Sequence, residues 1–345
     1  MLGGIIWAVL AGVMLGLYAL PEKYVKDYAY ENTWGLFFSI ALIVLPLLSA
    51  FTLVDGFGDI ICSLEPKTLL FMALLSMLWG LGVQLWSKAI NYIGVSLGFS
   101  IFIGAVIMIG SLLPFIVDGL PESNALTSII VGLLVVLVGI FCNGFAGISR
   151  DKALSKTTSD EALKVGAKQK TKSSKMLVGI GIALFGGLMA TGFSLANAVG
   201  VDSITKATLE AGNPSWCSSV VIMVIIYVCG AIYVLPYFAY QLCKSGTWSK
   251  FRTPHLGRNI SLITVMAIFN FVASVMFAYA AFNLGNAGNT IGYAVYNTTS
   301  VLLAVVGGLI AREWVSAPAK SKWLLFIALV CMIGGVTLIA VGNSF

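Results

Sequence analysis

Histidine occurs once in the 345 residues, at His255, and aspartate and glutamate together number only 14. These two shortages exclude most enzymatic chemistry. A zinc site needs closely spaced histidines, cysteines or carboxylates, and there is neither an HExxH sequence nor a histidine pair. No two aspartates fall midway along apolar runs, so an intramembrane aspartyl dyad is absent. A Ser–His dyad would have to use His255, which lies in a basic loop. No GxxxxGK[ST] stretch supplies a nucleotide motor, so any uphill movement must draw on an ion gradient. The six cysteines (Cys62, Cys142, Cys217, Cys229, Cys243, Cys331) form no CxxC pair and read as small core residues. Neither an enzymatic activity nor a cofactor or metal is expected.

What the chain has in abundance is apolar surface. It is 59% hydrophobic and 10% charged, with a mean hydropathy of +0.98, where a soluble domain is about a quarter charged. This is the composition of an all-helical integral membrane protein. A spanning helix needs about 20 apolar residues. Ten segments qualify, at about 2–20, 33–54, 68–88, 95–117, 125–146, 176–197, 214–243, 259–283, 289–311 and 322–342. The opening MLGGIIW has no basic n-region and no A-x-A site follows, so no cleaved signal peptide is expected.

The basic residues orient these segments. Eighteen of the 20 Lys and Arg fall in the loops joining segments 1–2, 3–4, 5–6, 7–8 and 9–10; only Lys67 and Lys206 lie opposite. The positive-inside rule puts the rich side in the cytoplasm of a cell inner membrane, with both termini outside. The net charge of +6 therefore reflects topology and lipid headgroups rather than nucleic acid. The longest loop, 147–175, is rich in Lys, Ser, Thr and Ala and reads as a solvated cytoplasmic linker. It separates five helices (1–146) from five helices (176–345). Odd halves joined this way have opposite topology, the arrangement of inverted-repeat transporters. GIIWAVLAGVM from Gly4 aligns with GIGIALFGGLM from Gly179, pairing Gly4 with Gly179 and Gly12 with Gly187. Gly94 in NYIGVSLG falls on Gly285 in FNLGNAGN by a similar offset.

Against this background, polar residues inside spans stand out. Residues 270–300 carry Asn270, Asn283, Asn286, Asn289 and Asn297 with Tyr279, Tyr293 and Tyr296. A buried amide in hydrocarbon needs a partner from protein, water or ligand. Asn289, Tyr293, Tyr296, Asn297 and Ser300 recur at helical spacing and share one face. An uncharged stripe of amides, phenols and hydroxyls suits a neutral polyhydroxyl solute; the plainer use is interhelical hydrogen bonding. Gln84, Lys88 and Asn91 share a face of the third segment, with Lys88 near enough to the end to snorkel. Thr191, Ser194 and Asn197 share a face of the sixth. Trp7 and Trp79 are either platforms for a sugar's apolar face or belt residues. Glu22, beside Tyr18 and Pro21 where the first helix ends, is either a proton-accepting carboxylate or an interfacial charge next to Lys23 and Lys26. The pairs Gly12-x-x-x-Gly16 and Gly187-x-x-x-Thr191 read as close-packing faces.

LYALPEKYVKDYAYENTW (Leu17–Trp34), MLWGLGVQLWSKAINYIGVSLGFSI (Met77–Ile101), GGLMATGFSLANA (Gly186–Ala198) and REW (Arg312–Trp314) resemble the L-rhamnose–proton symporter family of the drug/metabolite transporter superfamily. The resemblance runs over nearly the whole chain and is strongest in the first, third and fourth segments. It implies ten helices in a five-plus-five fold, carrying a 6-deoxyhexose or related sugar together with protons. On that reading Trp79, Gln84, Asn197, Asn270, Asn289, Tyr293, Tyr296 and Asn297 line a sugar cavity between the halves. Glu22 is the candidate for proton coupling. The segments at 125–146 and 322–342 carry few polar groups and are expected at the periphery, as a candidate homodimer face. An exporter of amphipathic metabolites and an uncoupled facilitator are the competing readings.

Overall fold

The computed structural model describes residues 2–93, 95–112, 123–161, 173–285, 288–310, 314–315 and 317–342. Asn286 and Arg312, singled out from the sequence, lie outside the described residues, as does the side chain of Asn91. The described chain is helical, with no strand among these residues. Nine of its helices are long and apolar enough to cross a membrane. The remaining expected segment, 95–117, contributes α6 (Val95–Leu112), whose apolar part is shorter and whose continuation falls outside the described residues.

The first helix, α1 (Leu2–Leu17), stops before Pro21 and gives way to a 3₁₀ turn (Leu20–Tyr24). Proline suits the first turn of a helix because that N–H has no intrahelical partner. The second span is α2 (Tyr30–Ser39), a π-turn (Ile40–Val44) and α3 (Leu45–Leu53). The π-turn sits just before Pro46, which cannot donate a helical hydrogen bond, and the Leu45 N–H reaches back five residues to the Ile40 carbonyl. A short α4 (Phe57–Ser63) leads into α5 (Pro66–Ile93).

Two boundaries differ from the sequence reading. The helix α7 runs Ser123–Glu161, so the first part of the expected linker is helical. At about 1.5 Å per residue its 39 residues far exceed a bilayer's hydrocarbon core of about 30 Å. The sixth span is two helices, α8 (Ser173–Ala190) and α9 (Gly192–Glu210), and extends well past 197. No proline or turn glycine interrupts VGVDSITKATLE, and an exposed Lys206–Glu210 pair one turn apart supports its end.

The rest of the bundle is α10 (Trp216–Ser245), α11 (Leu256–Leu284), a π-turn (Gly288–Gly292), α12 (Tyr293–Ile310) and α13 (Ala319–Gly342). The break expected near 283–288 is present. Helix α11 ends at Leu284, and Gly285 has a φ of 58° that glycine alone adopts without strain.

Packing follows a crossed pattern. Helix α1 lies against α11 and α12, while α8 lies against α5 and α6. The aligned glycines make these contacts. A Cβ on Gly12 would stand 2.7 Å from the Tyr296 carbonyl oxygen of α12; one on Gly187 would stand 2.9 Å from the Phe102 carbonyl oxygen of α6. Helices α7 and α13 pack on each other, and their outer faces expose Leu134, Val138, Phe326 and Val330 as a lipid-facing surface would.

Asparagine clamps tie loops together at two places. Asn259, at the start of α11, donates from Nδ2 to the Lys26 carbonyl (2.7 Å) and accepts from the Lys26 N–H at Oδ1 (3.1 Å). Asn213, before α10, does the same to Asp55, at 2.9 and 2.8 Å. Both side chains are buried.

Candidate functional site

A cavity of about 350 Å³ lies at the centre of the bundle. Its walls come from α1, α2, α5, α6, α8, α9, α10, α11 and α12, and none of its lining residues belongs to α7 or α13. The sequence reading omitted the second and seventh spans from this wall; α2 supplies Trp34 and Phe37, and α10 supplies Tyr227. Among the described residues no charged side chain lines it. The lining combines aromatic rings with neutral polar groups, the latter being Asn270 and Ser274 on α11, and Tyr293, Tyr296, Asn297 and Ser300 on α12.

The rings in and around the cavity form a connected set. Trp79 packs against Phe193 (centroids 5.5 Å apart) and Tyr227 (5.4 Å). Phe277 stacks on Tyr296 at 4.9 Å. Such offset and tilted arrangements are the favoured ones for aromatic pairs, and they hold the rings in place.

The polar groups are organised by hydrogen bonds. The Tyr227 hydroxyl donates to Asn270 Oδ1 at 3.0 Å and lies 2.6 Å from the Ser274 hydroxyl. Ser274 is in turn 3.4 Å from the Tyr296 hydroxyl. Asn297 Nδ2 donates to the Tyr293 carbonyl one turn earlier at 2.9 Å, and the Ser300 hydroxyl donates to the Asn297 carbonyl at 2.7 Å.

Of the eight residues expected around a cargo, five line the cavity: Trp79, Asn270, Tyr293, Tyr296 and Asn297. Three do not. Asn197 and Asn289 are buried against each other, with Asn197 Nδ2 donating to Asn289 Oδ1 at 2.7 Å, and the Ser194 hydroxyl donates to the Asn289 carbonyl at 3.1 Å. They join α9 to the π-turn before α12. The stripe loses Asn289 because that residue sits in the π-turn, where the extra residue per turn rotates it off the face of α12. Gln84 donates from Nε2 to the Tyr233 carbonyl of α10 and lies in a side crevice beside Trp34 and Phe238. Trp7 is partly exposed, edge-on to Tyr279, and Lys88 is exposed.

Glu22 is half-buried below the cavity and is reached through a lining residue: the Trp34 indole N–H donates to Glu22 Oε1 at 2.8 Å. Tyr227, Trp34 and Ser274 also line the cavity and were not among the expected residues. Ser274 had a signal, standing one helical turn from Asn270. Tyr227 had none, because a tyrosine in an apolar run also fills ordinary cores.

A larger hollow, of about 570 Å³, lies between the C-terminal part of α7 and the start of α13, against Phe145, Ile148, Pro318 and Leu324. It contains none of the amides or rings described above, and size alone does not make it the site.

The sequence matches the L-rhamnose-proton symport protein (RhaT) family over residues 1–344. The chain belongs to the L-rhamnose-proton symport protein family. It is similar to the L-rhamnose-proton symporter of Pectobacterium atrosepticum, at 24% identity with 99% of this chain and 98% of that protein covered. It is similar also to the L-rhamnose-proton symporters of Yersinia pestis and Yersinia pseudotuberculosis, at 23% identity over 99% of this chain and 98% of each relative. This symport family is one of transporters, so the central cavity is no enzyme active site.

Proposed function

We propose that this protein imports a neutral sugar, L-rhamnose or a related deoxyhexose, across the cell inner membrane by alternating access, with a proton as the coupled ion. The observation that carries the proposal is the cavity itself. It is lined by aromatic rings together with amides and hydroxyls, with no lining charge among the described residues. A deoxyhexose offers matching groups, an apolar methyl and C–H surface and neutral hydroxyls. The relatives' names, L-rhamnose-proton symporter, support both the cargo and the ion.

The supporting architecture is ten spans in two inverted halves, a drug/metabolite transporter fold, with α6 as the fourth span. The first helix of each half lies on the third and fourth helices of the other. The glycine pairs behave alike: a Cβ on Gly4 would stand 2.6 Å from Leu284, and one on Gly179 would stand 2.6 Å from Ile93. Leu284 and Ile93 are themselves matched positions, each preceding the aligned glycine at 285 and 94. The two asparagine clamps fit the same exchange, joining loop 1–2 to loop 7–8 and loop 6–7 to loop 2–3. They are natural latches for two gates at opposite faces.

Trp79, Asn270, Tyr293, Tyr296 and Asn297 contact the sugar in this reading, and Glu22 accepts the proton. That no carboxyl lines the cavity among the described residues favours uncoupled facilitation as the second reading. Uptake of labelled L-rhamnose and related deoxyhexoses into proteoliposomes decides between them. A coupled importer accumulates sugar above the outside concentration when the outside is acid, and stops at equality when a protonophore is added. A facilitator reaches equality in both cases, and absence of any uptake overturns the proposal.

A further inference from the structure

The polar wall of the cavity has a direction, and the direction is set by a residue on the seventh span. An amide oxygen can only accept. The Tyr227 hydroxyl faces two such acceptors on one residue, Asn270 Oδ1 at 3.0 Å and the Asn270 carbonyl at 3.4 Å, so its single proton is committed there. The Ser274 hydroxyl, 2.6 Å from Tyr227, must then donate to the phenol oxygen rather than accept from it. Its own proton being used, Ser274 is left as an acceptor toward Tyr296, the longer 3.4 Å step. The chain therefore runs one way, from Tyr296 through Ser274 and Tyr227 to the Asn270 carbonyl.

The two ends present opposite chemistry. With its Oδ1 engaged, Asn270 offers Nδ2, which has no hydrogen bond within the described protein, as a donor. Tyr296 offers the lone pairs of its oxygen. Asn297 has one N–H of Nδ2 bonded to the Tyr293 carbonyl, which leaves its Oδ1 and its second N–H. The chain thus ends in a donor at Asn270 on α11 and an acceptor at Tyr296 on α12. Tyr227 and Ser274 are themselves fully or nearly fully buried.

We infer that the Tyr227–Ser274 pair is a specificity device: by fixing which end of Asn270 faces the cavity, it selects a neutral polyol that accepts at one hydroxyl and donates at another. An analogue with a carboxylate in place of the donating hydroxyl, or an ammonium in place of the accepting one, is disfavoured because the charged group faces an end of its own kind. Tyr227 is a positioning residue here, and the inference rests on the sugar-binding reading of the cavity.

The test is competition against labelled L-rhamnose by deoxy and deoxyfluoro analogues, position by position, with the full-length protein in proteoliposomes. Fluorine retains weak accepting ability but cannot donate. In the wild-type protein, one position should tolerate fluorine about tenfold better than hydrogen, and another should lose about tenfold with either. In Tyr227→Phe the Asn270 amide is free to turn and Ser274 is free to donate to Tyr296, so the fluorine preference at the first position should vanish and the second position should lose its demand for a donor. Ser274→Ala, which severs the link to Tyr296, should weaken the second position and spare the first. A Tyr227→Phe protein that binds sugar with the wild-type analogue pattern overturns the inference and leaves the sugar reading standing. A wild-type protein that no neutral sugar in the panel competes for overturns both.

Discussion

Asn270 and Asn289 are the same side chain on neighbouring elements, and their partners separate their roles. Asn289 spends its carbonyl on Asn197, whereas Asn270 keeps an N–H for the cavity. The sequence displays both as polar residues in apolar runs, and it displays nothing of who bonds to whom. That is why the sequence marked all eight residues alike, although Trp79, Asn270, Tyr293, Tyr296 and Asn297 line the cavity and Asn197, Asn289 and Gln84 do not. Tyr227 was illegible for the converse reason, since a phenol among Val, Ile and Cys looks like core until its hydroxyl is placed. Glu22 belongs at this scale too. Its link to the cavity is the indole hydrogen bond from Trp34, and in the proposed reading that bond is what couples the carboxylate to the sugar. Glu22→Gln keeps an acceptor for that N–H but cannot exchange a proton. The expected outcome is loss of pH-driven accumulation with retained sugar–sugar exchange; pH-driven accumulation at the wild-type level in Glu22→Gln would exclude the residue.

The helices were legible to the extent that hydropathy and punctuation specify them. Pro21 and Gly285 marked real ends, and the apolar runs marked real spans. The boundaries that moved were those with no punctuation, the extensions of α7 and α9 into polar sequence that still forms helix. What holds helix to helix is close approach at small residues, because hydrocarbon gives no hydrophobic drive between helices. Gly12 has the Tyr296 carbonyl and Thr299 within 2.7 Å of where a Cβ would stand. Gly12→Val should force α1 off α12 at a cost of about 1–3 kcal/mol and lower the melting temperature of the purified protein. Gly181→Ala, whose Cβ would meet nothing within 4 Å, should leave it unchanged. Equal melting temperatures for both would show that the α1–α12 contact is not close-packed as described.

Across the whole molecule, topology and cavity make one argument. The charge distribution predicts the orientation of the chain, and α1 on α11 and α12 and α8 on α5 and α6 surround a void with no charged lining among the described residues. With 18 of 20 basic residues on the loops assigned to the cytoplasm, a C-terminal alkaline phosphatase fusion should be active and a C-terminal green fluorescent protein fusion dark. The reverse result would invert the orientation of every loop. The central claim is that sugar occupies the void rather than any other polar cluster, and titration calorimetry of L-rhamnose into purified variants tests it most directly. Asn297→Ala and Trp79→Ala should each weaken binding by about tenfold or more, while Asn289→Ala, which severs a bond away from the cavity, should leave the dissociation constant within about twofold. Unchanged binding in Asn297→Ala and Trp79→Ala, with binding lost in a folded Asn289→Ala protein, would place the sugar elsewhere.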